Sequence, residues 1–313
     1  VGYTGGHKMK RKLVEQGGTT MMVSLPSKWV KRFDLGKGDE VDVAVDGKQV
    51  HISSETVNRT RVVEVDLRGA STRVIKWVVS GLHKFGYDEI EILYDTNETL
   101  DTVDWLIKNL MIGFTVIEQT QKRIILRNVT QDTDVEFDAT LRRAFRVTCS
   151  LADSSLEMIT DTRMQDAVQL VKLEHTNNQL TNYCERILNK RGYVESKKTA
   201  FMYTIIWNLE KVADDYKYIC EYISSDGAPI DSSVRDIYSR VNEYFRGYYD
   251  LFYSFSYQRL LKLNQEKDEL FASIGERLAD DTSDKQILSY LESLVYKITD
   301  FSTSMVCVNL KEV

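Results

Sequence analysis

The side chains with the clearest chemical potential are basic and lie near the start of the chain. Lys8, Lys10, Arg11 and Lys12 place four positive charges ahead of the first acid, Glu15, and Lys28, Lys31 and Arg32 add three more on a short predicted helix. Ammonium and guanidinium groups neutralise phosphate oxygens, so two copies pooling these residues would present a face suited to a nucleic-acid backbone. The same residues also suit solvated surface lysines, and the charges alone leave both readings open.

Little else in the chain is spaced for chemistry. Cys149, Cys184, Cys220 and Cys307 lie far apart, without a CxxC pair or a histidine cluster. That usage fits buried free thiols in a reducing compartment. His83 falls near the C-terminal end of a predicted helix, where a capping or surface role is expected. No glycine-rich phosphate loop and no nucleophile–base set is visible, so an enzyme is not expected.

A chain of 313 residues predicts two or three domains, and 42% hydrophobic with 28% charged residues is ordinary for a soluble protein. No apolar run approaches the roughly 18–20 residues of a membrane span, and no signal peptide is visible, so a cytoplasmic protein without membrane insertion is expected. Val1 to Lys8 reads as a flexible arm or as a segment preceding a natural start at Met9. The net charge of −6 is unevenly spread: residues 1–58 hold 9 basic against 7 acidic side chains, 59–130 hold 10 against 10, and 131–313 hold 22 against 30.

The basic residues belong to a run of short elements. Strands are predicted over Lys12 to Gln16 and Thr20 to Leu25, a helix over Lys28 to Phe33, and a hairpin around Asp46-Gly47. About 43 residues of this kind cannot bury enough apolar surface to be stable alone, and with no cysteine available the run calls for a partner. Between Thr60 and Val129 the pattern reads βαβαββ, a sheet with two helices on one face. Val74, Trp77, Val78, Gly81 and Leu82 are expected to form the inward stripe of the first helix, and Leu100, Val103, Leu106 and Ile107 that of the second. After Asp138 the period becomes 3.6, with six helices predicted at about Thr140–Thr160, Arg163–Leu188, Lys197–Ser224, Ser232–Phe255, Tyr257–Leu278 and Ser283–Asn309. Long helices joined by short loops argue for an antiparallel bundle. Leu209 to Asp214 echoes Val295 to Asp300 at an offset near 90 residues, which suggests two related three-helix units. Most of the many aromatic residues between Tyr216 and Tyr257 are expected in its core.

In its order of motifs the N-terminal run resembles the AbrB/SpoVT swapped-hairpin domain: Lys10-Arg11-Lys12, Gly17-Gly18, Leu25-Pro26-Ser27-Lys28-Trp29, Leu35 to Val41, and Asp46-Gly47. With the βαβαββ segment ending in Gly113 to Gln119 and the duplicated helices behind it, nearly the whole chain resembles archaeal PhoU-type phosphate uptake regulators. The resemblance implies a multidomain α+β protein: an AbrB-like barrel over 9–55 completed by dimerisation, a βαβαββ domain over 59–130, and a PhoU-like bundle over 135–313, divided into 135–226 and 230–313. It implies a homodimer or higher oligomer that binds double-stranded DNA and responds to phosphate status, with Arg11 placed for a base contact. The alternative is an adaptor without DNA binding, docked on a phosphate transporter's ATPase or a sensor kinase, in which the N-terminal unit only dimerises.

The resemblance also implies paired carboxylates that hold iron or zinc, since residues i and i+4 share a helix face. Glu210 and Asp214 keep that pattern, and Glu174, with His175 beside it, faces them from the preceding helix. Glu174 is paired with Asn178, and the second unit offers Asn264 with Asp268 and Tyr296 with Asp300, so three of the four pairs lack one carboxylate. Without a metal, Glu210 and Asp214 are expected to bond to lysine or arginine of a neighbouring helix.

Overall fold

The computed structural model describes residues 10–18, 20–46, 49–53, 60–130, 134–160, 167–226, 230–280 and 284–310. The chain divides into two compact units, Val1–Arg59 and Thr60–Val313. It is a mixed α+β protein in which short strands come first and a helical bundle last.

The first unit contains β1 (Val14–Gln16) paired antiparallel with β2 (Thr20–Met22), the helix α1 (Ser27–Arg32), and β3 (Asp42–Asp46) paired antiparallel with β4 (Gln49–Ser53). Gly17 and Gly18 both have positive φ, 69° and 86°, which lets the chain reverse between β1 and β2. The turn expected at Gly47 lies outside the described residues; Asp46 and Gln49 on either side of it are paired. None of the residues of this unit whose side-chain placement is described is buried. Two isolated two-stranded ladders are marginal in water, because a stable sheet needs a third strand or a packed face.

In the second unit β5 (Val62–Asp66), α2 (Thr72–Phe85), β6 (Glu89–Leu93), α3 (Asn97–Asn109), β7 (Phe114–Gln119) and β8 (Arg123–Asn128) follow the expected βαβαββ order. The sheet runs β5-β6-β8-β7: β5 and β6 are parallel, while β8 is antiparallel to both of its neighbours. Alternation assigns the faces. Ile90, Ile92, Ile124 and Leu126 turn inward and are essentially inaccessible, while Glu89 and Glu91 point outward and pair with Arg127 at 2.7 Å and Arg123 at 3.0 Å.

Helix α3 buries Val103 and Leu106 as expected, but α2 is rotated from its expected orientation. Its inward residues are Ile75, Val79 and His83, with Val78 and Leu82 half-buried, whereas Trp77 is 67% exposed and Val74 and Gly81 also face outward. The two candidate stripes are offset by one position. The observed one packs Ile75 and Val79 into the sheet core and His83 against Phe114.

The bundle comprises α4 (Asp134–Thr160), α5 (Ala167–Arg191), α6 (Thr199–Asp226), α7 (Ser232–Tyr253), α8 (Tyr257–Ala279), α9 (Lys285–Thr299) and α10 (Phe301–Asn309). The sixth expected helix is therefore divided at Asp300, whose backbone N–H caps the carbonyls of Ile298 and Tyr296. Side chains cap two of the starts: Asp231 accepts from the Ser233 N–H and Ser256 from the Arg259 N–H. The turns expected around Gly227 and Thr282 lie outside the described residues. The core is one cluster that joins Phe145, Tyr216, Tyr238, Phe245, Tyr248 and Phe301 to the aliphatic residues, in line with the expectation for the aromatics, although Tyr218 and Tyr257 face outward. Among the described residues no helix is long and apolar enough to cross a membrane.

Candidate functional site

Two places gather the sequence-predicted residues. In the first unit Lys10, Arg11, Lys12, Lys28 and Lys31 are exposed, Arg32 closes α1, and Lys8 lies outside the described residues. The same unit exposes the large apolar side chains of Leu13, Val14, Met21, Met22, Val23, Val43, Val45 and Val50, with Val45 74% exposed. Lys10, Arg11 and Lys12 precede β1 rather than lying in the strand expected from Lys12. Among the described residues no carboxylate pairs with Lys10, Lys12, Lys28 or Lys31.

The second place lies where α5 and α6 meet the C-terminal end of α2. Helix α5 is polar for a buried helix, yet every residue from Leu180 to Leu188 is buried. It is placed between the bundle core and the α2–α3 layer. There Arg186, with no exposed side-chain surface, donates through Nη1 to the His83 and Tyr87 carbonyls and through Nη2 to Asp88 Oδ1 at 2.6 Å. Lys190 reaches the same Asp88 oxygen at 2.6 Å, and the Arg61 N–H donates to Asp88 Oδ2 at 3.0 Å. Burial pushes the Asp88 carboxyl up, but these donors outweigh it and hold the pKa below the usual carboxylate value. Gly86 ends α2 in the left-handed region at φ 99°, and a Cβ there would collide with the Lys190 side chain, so a glycine permits both the cap and the close passage of α5. His83, expected in a capping or surface role, is 1% exposed and packs edge-on against Phe114 at 5.2 Å. Burial, reinforced by Arg186 and Lys84, lowers its pKa from 6.5 to about 3, so the ring is neutral.

The three carboxylates of the expected metal set lie beside this clamp, in a file of alternating charge. Glu174 Oε1 accepts from Lys217 at 2.7 Å and from Asn178 Nδ2 at 2.8 Å. Lys217 also reaches Asp214 Oδ1 at 3.1 Å, and Lys211 reaches Asp214 Oδ2 at 3.0 Å and Glu210 Oε1 at 3.4 Å. Lys84 of α2 then bridges Glu210 at 3.2 Å and Glu185 of α5 at 2.9 Å. Burial raises the pKa of Glu174 and of Glu185 against the pull of their lysines, while at Asp214 two ammonium groups overcome burial and lower it. His175 Nε2 stands 3.7 Å from Glu174 Oε2, and its ring meets Trp105 edge-on.

Glu174, Asp214 and Glu210 do not converge on a common point with room for an ion, because a lysine nitrogen occupies each gap between them. Among the described residues no group of three His, Cys, Asp or Glu side chains is arranged to hold a metal. The donor set therefore does not fit iron or zinc, which need several ligands converging at about 2.0–2.3 Å. In the α7–α10 half of the bundle Asn264 and Asp268 both contact Lys267, and Tyr296 is exposed and packed on Phe271.

Sequence reasoning named the carboxylates and missed most of their partners. Lys211 and Lys217 stand three residues on either side of Asp214 and are legible as helical neighbours. Lys84, Glu185 and Arg186 reach the site only through tertiary packing and have no local signal. Comparison with known proteins finds no family model, no curated protein and no solved structure that matches this chain.

Proposed function

We propose that the chain is a homodimeric regulator whose N-terminal unit binds double-stranded DNA and whose helical bundle senses phosphate status or docks a partner such as a transporter ATPase or kinase. One observation carries this reading: the first unit combines eight exposed large apolar side chains with exposed lysines on the β1 approach and on α1. Burying apolar area contributes about 25 cal/mol per Å², so the exposed valines and methionines favour association with a second set of the same strands. In this reading the two hairpins interleave with those of another copy into an AbrB/SpoVT-like barrel, and the lysines of both copies share one face. The helices support the PhoU-like part by their order: α4–α6 form one group of three, and α7, α8 and the divided α9–α10 form another. The polar α5 interface would tie the βαβαββ layer to the bundle and so let a signal in one reach the other.

The reading is tested by titrating duplex binding of the full chain against salt. Phosphate contacts make affinity fall steeply with salt, and Lys10→Ala with Lys12→Ala removes four charges from a dimer, reducing the log–log slope by up to about 3–4. Equal binding by the variant would place the contact face elsewhere. Absence of duplex binding by the parent would instead favour an adaptor in which the unit only dimerises.

A further inference from the structure

The file from Glu174 to Glu185 answers a physical problem that metals often answer. Carboxylates removed from water are stable only when a cation lies close by, and the requirement is strict for Glu174, which is 1% exposed. A divalent ion meets it by drawing several oxygens inward to one point, whereas an ammonium group meets it with three donors directed at separate oxygens. The arrangement here is of the second kind throughout. Lys217 bonds one oxygen each of Glu174 and Asp214, Lys211 one each of Asp214 and Glu210, and Lys84 one each of Glu210 and Glu185.

We propose that Lys217, Lys211 and Lys84 are built-in cations that occupy the positions a bound metal would take between α5 and α6, making the bundle metal-independent and closed to divalent ions. The file also has a mechanical role that a metal confined to α5 and α6 would lack: through Lys84 its last link reaches into α2, so the counter-ion of the bundle is also a fastener of the βαβαββ layer. The site retains a latent ligand set. Glu174 Oε2 is buried with no hydrogen-bond partner, and it faces His175 Nε2. Removing the Lys217 ammonium leaves the Glu174 and Asp214 carboxylates that it bridges with uncompensated negative charge, and His175 beside Glu174.

The test uses the full chain, incubated with excess Zn²⁺ or Fe²⁺, desalted and assayed for retained metal, with thermal midpoints measured alongside. The parent is expected to retain only trace metal at this site and to show the same midpoint with added Zn²⁺ or with chelator. Lys217→Met is expected to melt lower than the parent, to retain near-stoichiometric Zn²⁺ and to recover part of the lost midpoint when Zn²⁺ is present. Near-stoichiometric metal in the parent that disappears with Glu174→Gln or Asp214→Asn overturns the proposal, whereas metal that survives both substitutions is bound elsewhere and supports it. A folded Lys217→Met chain that takes up no metal also overturns it, since the ammonium would then not be standing in for a cation. Should Lys217→Met fail to fold, the parent's metal content and its dependence on Glu174 and Asp214 decide the question.

Discussion

The two units treat charge and apolar surface in opposite ways. In residues 60–313 several ionised groups are enclosed and paired: Arg186 is wholly buried against Asp88 and two carbonyls, and three lysines are interleaved with four carboxylates. Among residues 10–53 eight large apolar side chains are exposed, as are Lys10, Lys12, Lys28 and Lys31. We propose that the larger unit is complete in itself and that the smaller one is completed by another molecule. Binding function is therefore expected in the smaller unit, and stability, with any internal signal, in the larger.

The contrast is sharpened most by applying one substitution to both units. Arg186→Met removes the charge that holds Asp88 and two further contacts to the α2 end, and is expected to cost about 3–5 kcal/mol in urea unfolding of the larger unit. Lys12→Met, at an exposed position, is expected to change stability by less than about 0.5 kcal/mol. Similar losses in the two would remove the distinction between them.

Next in size is a pH effect. In the folded chain His83 stays neutral down to about pH 3, while the unfolded chain takes up its proton near 6.5. The stability that comes from burying a neutral ring is thus complete above 6.5 and is lost progressively as the pH falls towards 3, at up to about 1.4 kcal/mol per unit. Urea midpoints of the larger unit measured from pH 7 to 4.5 should fall, and His83→Phe should flatten that dependence. A parent curve no steeper than the variant's would contradict the assignment. The smallest effect is expected at Trp77, whose outward orientation predicts that Trp77→Lys shifts stability by under about 0.5 kcal/mol, whereas an inward residue such as Leu106→Ala costs about 2–5.

How much of this was legible in the sequence differs by element. The βαβαββ order and the helical segments follow from periodicity, and the stripe of α3 was read correctly. The stripe of α2 was not, because apolar residues occur on both sides of that helix, and only the sheet beneath and α5 beside it decide which side is enclosed. His83 was misplaced for the same reason: Phe114, Arg186 and the Ile112 backbone surround it from other segments. The division at Asp300 is local, but it has no glycine or proline to mark it. At the carboxylate site Glu210 and Asp214 are visible as an i, i+4 pair, but the partners were expected on a neighbouring helix, whereas Asp214 takes Lys211 and Lys217 of its own helix. The clamp of Arg186 on Asp88 and the link from Lys84 to Glu185 connect residues about a hundred positions apart, a distance that no spacing rule covers.

We propose that residues 10–53 are completed by a second copy of the chain, and amide hydrogen exchange of the full chain over a dilution series is the test. Protection in β3 and β4 is expected to fall on dilution as dimers separate, while protection in β5–β8 and α4–α10 stays constant. Protection in β3 and β4 that is high and independent of concentration would contradict it.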